Sequence, residues 1–170
     1  VAAVIRRVLY VAHPLRPTED EIAATGHVAC EYAVEVATKY NAGQALAWRN
    51  WLRDTFPDIT FVAPWIGDVL AGDDDSDPAQ RARGIRDNCA LIAKLDGIVL
   101  CGPRISAGMA AERDAFIGLS EHAPIGMSAE ETLRDRCCRI FNLTGLGSTP
   151  PAALPLPIMN LREIATWARG

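Results

Sequence analysis

Apolar residues fall into short continuous runs, set between longer stretches where they recur every three or four positions. Residues 7–12, Arg-Val-Leu-Tyr-Val-Ala, make a β-type run stopped by His13-Pro14. Residues 59–63 make a second, closed by Pro64-Trp65; residues 97–100 make a third, and 139–143 a late one. Residues 18–39 hold good helix formers, with Thr18 as N-cap and Glu21 three positions on, a capping box. Asn41-Ala-Gly predicts a pause before a second helical stretch at 44–55, where Ala45, Trp48 and Leu52 share a face. Phe56-Pro57-Asp58 ends it. Residues 67–78 predict a loop rich in aspartate, and 79–94 a helix that turns Ile85, Cys89, Ile92 and Leu95 inward. Another helix is predicted at 107–120, a proline-rich extended segment at 149–158 and a C-terminal helix at 159–170. Residues 121–138 mix strand-like and charged helical signals and are assigned to neither.

Strands alternating with helices predict an α/β fold: a single-domain, Rossmann-like or flavodoxin-like parallel sheet flanked by helices, spanning residues 1–170. Ligands of such sheets bind beyond the carboxyl ends of the strands. Three such ends are predicted to converge, at residues 10–16, 63–66 and 101–112. The last is the most informative. A buried strand leads into a loop and then a helix that opens with Ser106 and Gly108, with Glu112 in its first turns. Free N–H groups at a helix start favour an anion, so a carboxylate beside them asks for an explanation.

Composition narrows the partners. With 170 residues the chain fits one domain with a sizeable core, and a net charge of −4 argues against a surface for nucleic-acid polymers. No apolar run approaches the roughly 20 residues that span a bilayer. The first residues lack the apolar core of a signal peptide, so no membrane is expected and the cytoplasm is the expected location. Five cysteines without a Cys-x-x-Cys pair, and three histidines with no ligand spacing, predict no structural metal. Cys101, at a strand end, is a candidate to line a pocket. Asp73, Asp74, Asp75 and Asp77 lack the spacing of a calcium loop and predict a solvated one.

The three strand ends together resemble the nucleoside 2-deoxyribosyltransferase family, including its relatives that hydrolyse nucleoside 5'-monophosphates. The family's first strand ends in a Tyr-x-x-Gly pattern, where this chain has Tyr10-Val-Ala-His13-Pro-Leu-Arg16. Its second signature is a helix aspartate, an apolar strand and a glycine-containing turn ending in Glu. Here that reads Arg86-Asp87-Asn88-Cys89, then 96–101, then Ser106-Ala-Gly108-Met-Ala-Ala-Glu112. The resemblance covers about residues 7–117. It implies that Glu112 is the catalytic glutamate and that Tyr10 positions it. It implies Ser106 and Arg16 at a 5'-phosphate, with Gly108 as the turn glycine. His13 stands where the family has glycine. The helix aspartate is Asp87 by motif, but counting from the strand puts Asn88 there.

Cleaving an N-glycosidic bond builds an oxocarbenium-like sugar, which a carboxylate can stabilise or trap at C1'. Glu112 suits that role if ionised, and the nearby helix N-terminus is expected to lower its pKa. Tyr10 is expected to hold one carboxylate oxygen and leave the other to attack. Asp87 is the expected proton source for the departing base, and Trp65 is placed to stack on it. Each residue also has a plainer reading: Glu112 as an exposed acid paired with Arg113 or Arg16, Tyr10 and Trp65 as core, Ser106 as an N-cap, Arg16 and His13 as loop residues. The expected function is an N-glycosidase or deoxyribosyltransferase-like enzyme for a nucleoside or its 5'-monophosphate, with no cofactor and a homo-oligomeric assembly. The alternative is a nucleotide-binding, sensing module of the same fold without turnover. A phosphoribohydrolase of the cytokinin-activating type is disfavoured, because Cys101-Gly-Pro-Arg replaces its Pro-Gly-Gly-x-Gly-Thr signature.

Overall fold

The computed structural model describes residues 7–27, 30–72, 77–118 and 139–151, together with Ile164 and Thr166. Its elements run β1 (Arg7–Ala12), α1 (Glu19–Ala23), α2 (Glu31–Thr55), β2 (Ile59–Val62), α3 (Trp65–Ala71), α4 (Pro78–Ile92), β3 (Gly97–Leu100), α5 (Ala107–Gly118) and β4 (Arg139–Asn142). The strands form one all-parallel sheet in the order β2-β1-β3-β4. This is the α/β, flavodoxin-like arrangement that the alternating pattern predicts, with β1 and β3 at its centre.

The continuous apolar strands are buried on both faces. Leu9, Val11, Val99 and Phe141 lie on one face with Trp48 and Leu52 of α2 and with Ile164. Tyr10, Ala12, Ile98 and Leu100 lie on the other with Ile92 of α4 and Met109 and Phe116 of α5. Successive strand residues point to opposite faces, so the side chain of Tyr10 must emerge on the α4–α5 side.

The helices depart from the sequence pattern in three places. The stretch predicted as helix at 18–39 is two helices. The Thr18 capping box is present, with Thr18 N–H donating to Glu21 Oε2 at 2.7 Å and Glu21 N–H to Thr18 Oγ1 at 3.2 Å. That helix stops at Ala23, and Gly26 turns the chain at φ 73°. Asn41-Ala-Gly does not interrupt α2. Its buried face, Ala37, Ala42, Ala45, Trp48 and Leu52, outweighs the roughly 1 kcal/mol cost of the exposed Gly43. Asn41 is itself buried and donates from Nδ2 to the Leu15 carbonyl at 3.1 Å, which ties α2 to the loop after β1. Part of the segment predicted as loop at 67–78 is α3, closed by Gly72 at φ 107° in the left-handed conformation that suits a helix end. Asp77 then caps α4, its Oδ1 accepting from Ala79 N–H at 2.8 Å, with Pro78 in the first turn. The predictions for residues 73–75 and 121–138, and nearly all of 149–158 and 159–170, lie outside the described residues. Among the described residues no helix is long and apolar enough to cross a membrane.

Gly97 sits where β3 passes between β1 and β4. A Cβ there would lie 2.4 Å from the Arg139 carbonyl oxygen and 2.6 Å from a Leu9 methyl. Gly97→Ala is therefore expected to destabilise the fold by about 1–3 kcal/mol. Gly43→Ala, where a Cβ meets nothing within 4 Å, is expected to stabilise it by up to about 1 kcal/mol. Urea unfolding of both variants checks this, and a neutral Gly97→Ala would contradict the close packing of the strands.

Candidate functional site

The carboxyl ends of β1, β2 and β3 open into a pocket of about 480 Å³. One jaw is α4 and α5, which pack on each other, and the other is α3. Helical period places the residues that reach deepest along them. On α5, Met109, Glu112 and Phe116 face inward at three-to-four spacing. On α4, Arg81, Ile85 and Asn88 share a stripe that lines the pocket.

Glu112 lies at the buried end of this pocket, only 7% exposed. Tyr10 donates its O–H to Glu112 Oε1 at 2.7 Å, across 102 positions of sequence. Asn88 Nδ2 donates to the same oxygen at 3.1 Å. Oε2 receives no hydrogen bond from the described residues. Among the described residues the carboxylate is thus held by donors on one oxygen only.

Burial pushes the Glu112 pKa up to about 7, against the pull of the Tyr10 and Asn88 hydrogen bonds and the Arg81 charge. The sequence predicted the opposite direction, from the helix N-terminus. That influence fades within the first turn, whereas Glu112 is the sixth residue of α5 and pays full desolvation. Burial first, and the Glu112 charge next, raise the Tyr10 pKa far above the usual phenol value, so Tyr10 stays a donor. The reading of Glu112 as an exposed acid fails, because Arg113 pairs instead with Asp114 at 2.7 Å.

The other candidates divide. Ser106 is an N-cap: its Oγ accepts from Met109 N–H at 3.3 Å and its carbonyl from Ala110 N–H at 2.9 Å. It also lines the pocket, and the N–H groups of Ala107 and Gly108 have no partner within the helix. Gly108 belongs to the first turn of α5, with Arg81 Nη2 and Ser106 Oγ each 3.8 Å from where its Cβ would stand. Arg16 is exposed on the rim. Trp65 reaches the pocket but is 92% buried by packing on Tyr10 and Ile66, and its Nε1 donates to the Val11 carbonyl at 3.2 Å. Asp87 is not brought to the site. It is exposed beside Arg86 at 3.6 Å, because Asn88 is the residue on the inward stripe and its neighbour is turned about 100° away. Cys101 also misses the pocket: it is buried in the core on the opposite face of the sheet, and burial pushes its thiol up.

His13 is buried, and Nδ1 donates to the Pro14 carbonyl at 2.9 Å. Desolvation lowers its pKa. Its ring packs against Gly102, which has φ 93° and where a Cβ would lie 2.8 Å from Nε2 and 2.7 Å from Pro14 Cδ. The histidine thus wedges the loops after β1 and β3 together.

Arg81, Asp68 and Arg104 are among the pocket residues that sequence reasoning missed. Arg81 stands seven positions before Asn88, a spacing that would have found it. Asp68 was hidden because α3 was read as loop. Arg104 donates to Glu21 Oε1 at 2.8 Å and to the Arg16 carbonyl at 2.8 Å, fastening α1 to the rim, and no local pattern announces such a contact. Among the described residues no group of three or more His, Cys, Asp or Glu is placed to hold a metal. Comparison with family models, curated proteins and solved structures finds no match to the chain.

A carboxyl group with pKa near 7 when folded and 4.5 when unfolded binds its proton more tightly in the native state. Its contribution to stability is full below about pH 4.5 and is lost as pH rises through about 7. Glu112→Gln lacks that loss. Relative to the variant, the protein is expected to lose about 3 kcal/mol between those limits, at about 1.4 kcal/mol per pKa unit. Urea unfolding of both proteins at pH 4.5 and pH 8 measures the difference, and parallel curves would refute the burial argument.

Proposed function

We propose that this protein is an N-glycosidase or deoxyribosyltransferase-like enzyme that cleaves the N-glycosidic bond of a (deoxy)nucleoside or its 5'-monophosphate. One observation carries the reading. Tyr10 and Asn88 grip Oε1 of a buried Glu112 and, among the described residues, leave Oε2 without a donor at the end of a pocket large enough for a nucleotide. A carboxylate held in this way is suited to attack C1' as the glycosidic bond breaks, giving a covalent glycosyl-enzyme that water or a second base resolves. The resemblance to the nucleoside 2-deoxyribosyltransferase family adds to this, since Tyr10 and Glu112 are the pair it implies.

At the mouth, the free N–H groups at the start of α5, Ser106, Arg16 and the neighbouring Arg81 make a cationic corner suited to a 5'-phosphate. That corner favours hydrolysis of a monophosphate. We place the enzyme in the cytoplasm, as a homo-oligomer acting on a small-molecule nucleotide. A second reading keeps one observation on its side. Asn88, unlike an aspartate, carries no proton to give a departing base, which suits a nucleotide-sensing module that binds without turnover.

Incubation with a panel of nucleosides and 5'-monophosphates, with chromatography for released base, separates the two. Base release is expected, and Glu112→Gln should lower kcat by a factor of at least about 1000. Because Glu112 must be ionised to attack, kcat/KM should rise with pH up to about 7 and then level off. Combined Ser106→Ala and Arg16→Ala should weaken monophosphates more than nucleosides. Stabilisation by a nucleotide with no base released would favour the sensor. Full activity in Glu112→Gln would end the mechanism.

A further inference from the structure

We infer that the substrate is a nucleotide whose base is a cation, quaternised at a ring nitrogen so that it departs neutral. The inference rests on the glycosidase reading above, and the residue that decides it is Asn88. An ordinary neutral base cannot leave as an anion at useful speed, so an enzyme acting on one sets a proton donor against it. Asn88 holds the inward stripe of α4, and its Nδ2 donates to Glu112 Oε1 at 3.1 Å. An amide gives a hydrogen bond there but no proton. Its acidic neighbour Asp87 is exposed beside Arg86, outside the pocket.

The other groups at hand do not make up for it. Tyr10 has turned its O–H to Glu112. His13 has Nδ1 engaged by Pro14 and Nε2 shut away from water against Gly102. Among the described residues that line the pocket, Asp68 and Glu112 are the only carboxylic acids. Glu112 must be ionised to attack. Asp68 is exposed, and a carboxyl group open to water is an anion at neutral pH.

The charges are arranged to match a ligand with two opposite ends. Ser106, the first N–H groups of α5, Arg16 and Arg81 suit a phosphate, while Asp68 and an ionised Glu112 put negative charge on the same pocket. A base leaving as an anion would add negative charge to a pocket that already holds two carboxylates. A base that starts positive and ends neutral is favoured by them before the bond breaks and asks for no proton afterwards.

The step balances. Oε2 bonds to C1' as the carbon–nitrogen bond breaks, and that bond's electron pair goes to the ring nitrogen and cancels its charge. Water then attacks C1', the carbon–oxygen pair returns to Glu112, and the proton shed by the water passes to solvent.

Two probes carry this chemistry on different rings, N7-methylguanosine 5'-monophosphate and nicotinamide mononucleotide, and the one cleaved faster names the ring. For that probe, kcat/KM is expected to exceed the value for the fastest ordinary monophosphate by at least about 100-fold, the least that a positioned acid contributes. On the ordinary monophosphate, kcat/KM should stay level above about pH 7 instead of falling. Asn88→Asp sets a second carboxyl beside Glu112, where the two share a proton, and should narrow the ratio by at least about tenfold, with melting temperatures checking the fold. A smaller ratio in the unaltered protein, or a fall on the ordinary monophosphate above that pH, reveals a proton donor and overturns the inference while leaving the glycosidase reading intact. A large ratio that a folded, active Asn88→Asp leaves unchanged belongs to the lability of the substrate itself and overturns it too. No base released from any of these nucleotides removes both readings.

Discussion

Glu112 sits out of water, and an ionised carboxylate in that position needs donors close at hand or it takes up a proton. Two donors are supplied, and they come from different parts of the fold: Tyr10 from the central strand and Asn88 from α4. The carboxylate thus joins β1, α4 and α5 at one atom. A hydrogen bond to a charged group is worth roughly 1.5–3 kcal/mol, so the pair offsets part of the cost of burial without cancelling it. The remainder appears as a pKa near neutrality. That balance gives the site a group that is neither permanently charged nor permanently neutral in the ordinary range of pH.

The loops around this carboxylate are fastened to one another rather than left to find their places. Arg104 holds α1 and the Arg16 carbonyl, Asn41 holds the Leu15 carbonyl, and His13 presses on Gly102. Each contact joins segments distant in sequence. Together they set the rim of the pocket before any ligand arrives, which lowers the ordering cost of binding.

Much of this was legible in the chain. The strand positions and the parallel sheet follow from period, and the pairing of Tyr10 with Glu112 is the one the family resemblance implies. The Thr18 cap was readable because it is local. What escaped was decided by tertiary packing. Gly43 signals a break, but the buried face of α2 carries the helix through it. The aspartates after Gly67 suggested a loop and concealed the short α3, and with it Asp68. Asp87 and Asn88 differ by one position, which on a helix is the difference between solvent and site. The direction of the Glu112 pKa was missed because sequence shows the helix end but not the depth of burial.

The convergence of both donors on Oε1 has a consequence for the second half of the proposed reaction. Once Oε2 is bonded to the sugar, Oε1 becomes the carbonyl oxygen of an ester, and Tyr10 and Asn88 still address it. As that ester breaks, negative charge returns to the carboxylate, and both donors are already aimed at it. The arrangement that tempers Glu112 as an attacker therefore makes it easier to expel, so the sugar is passed on instead of being retained.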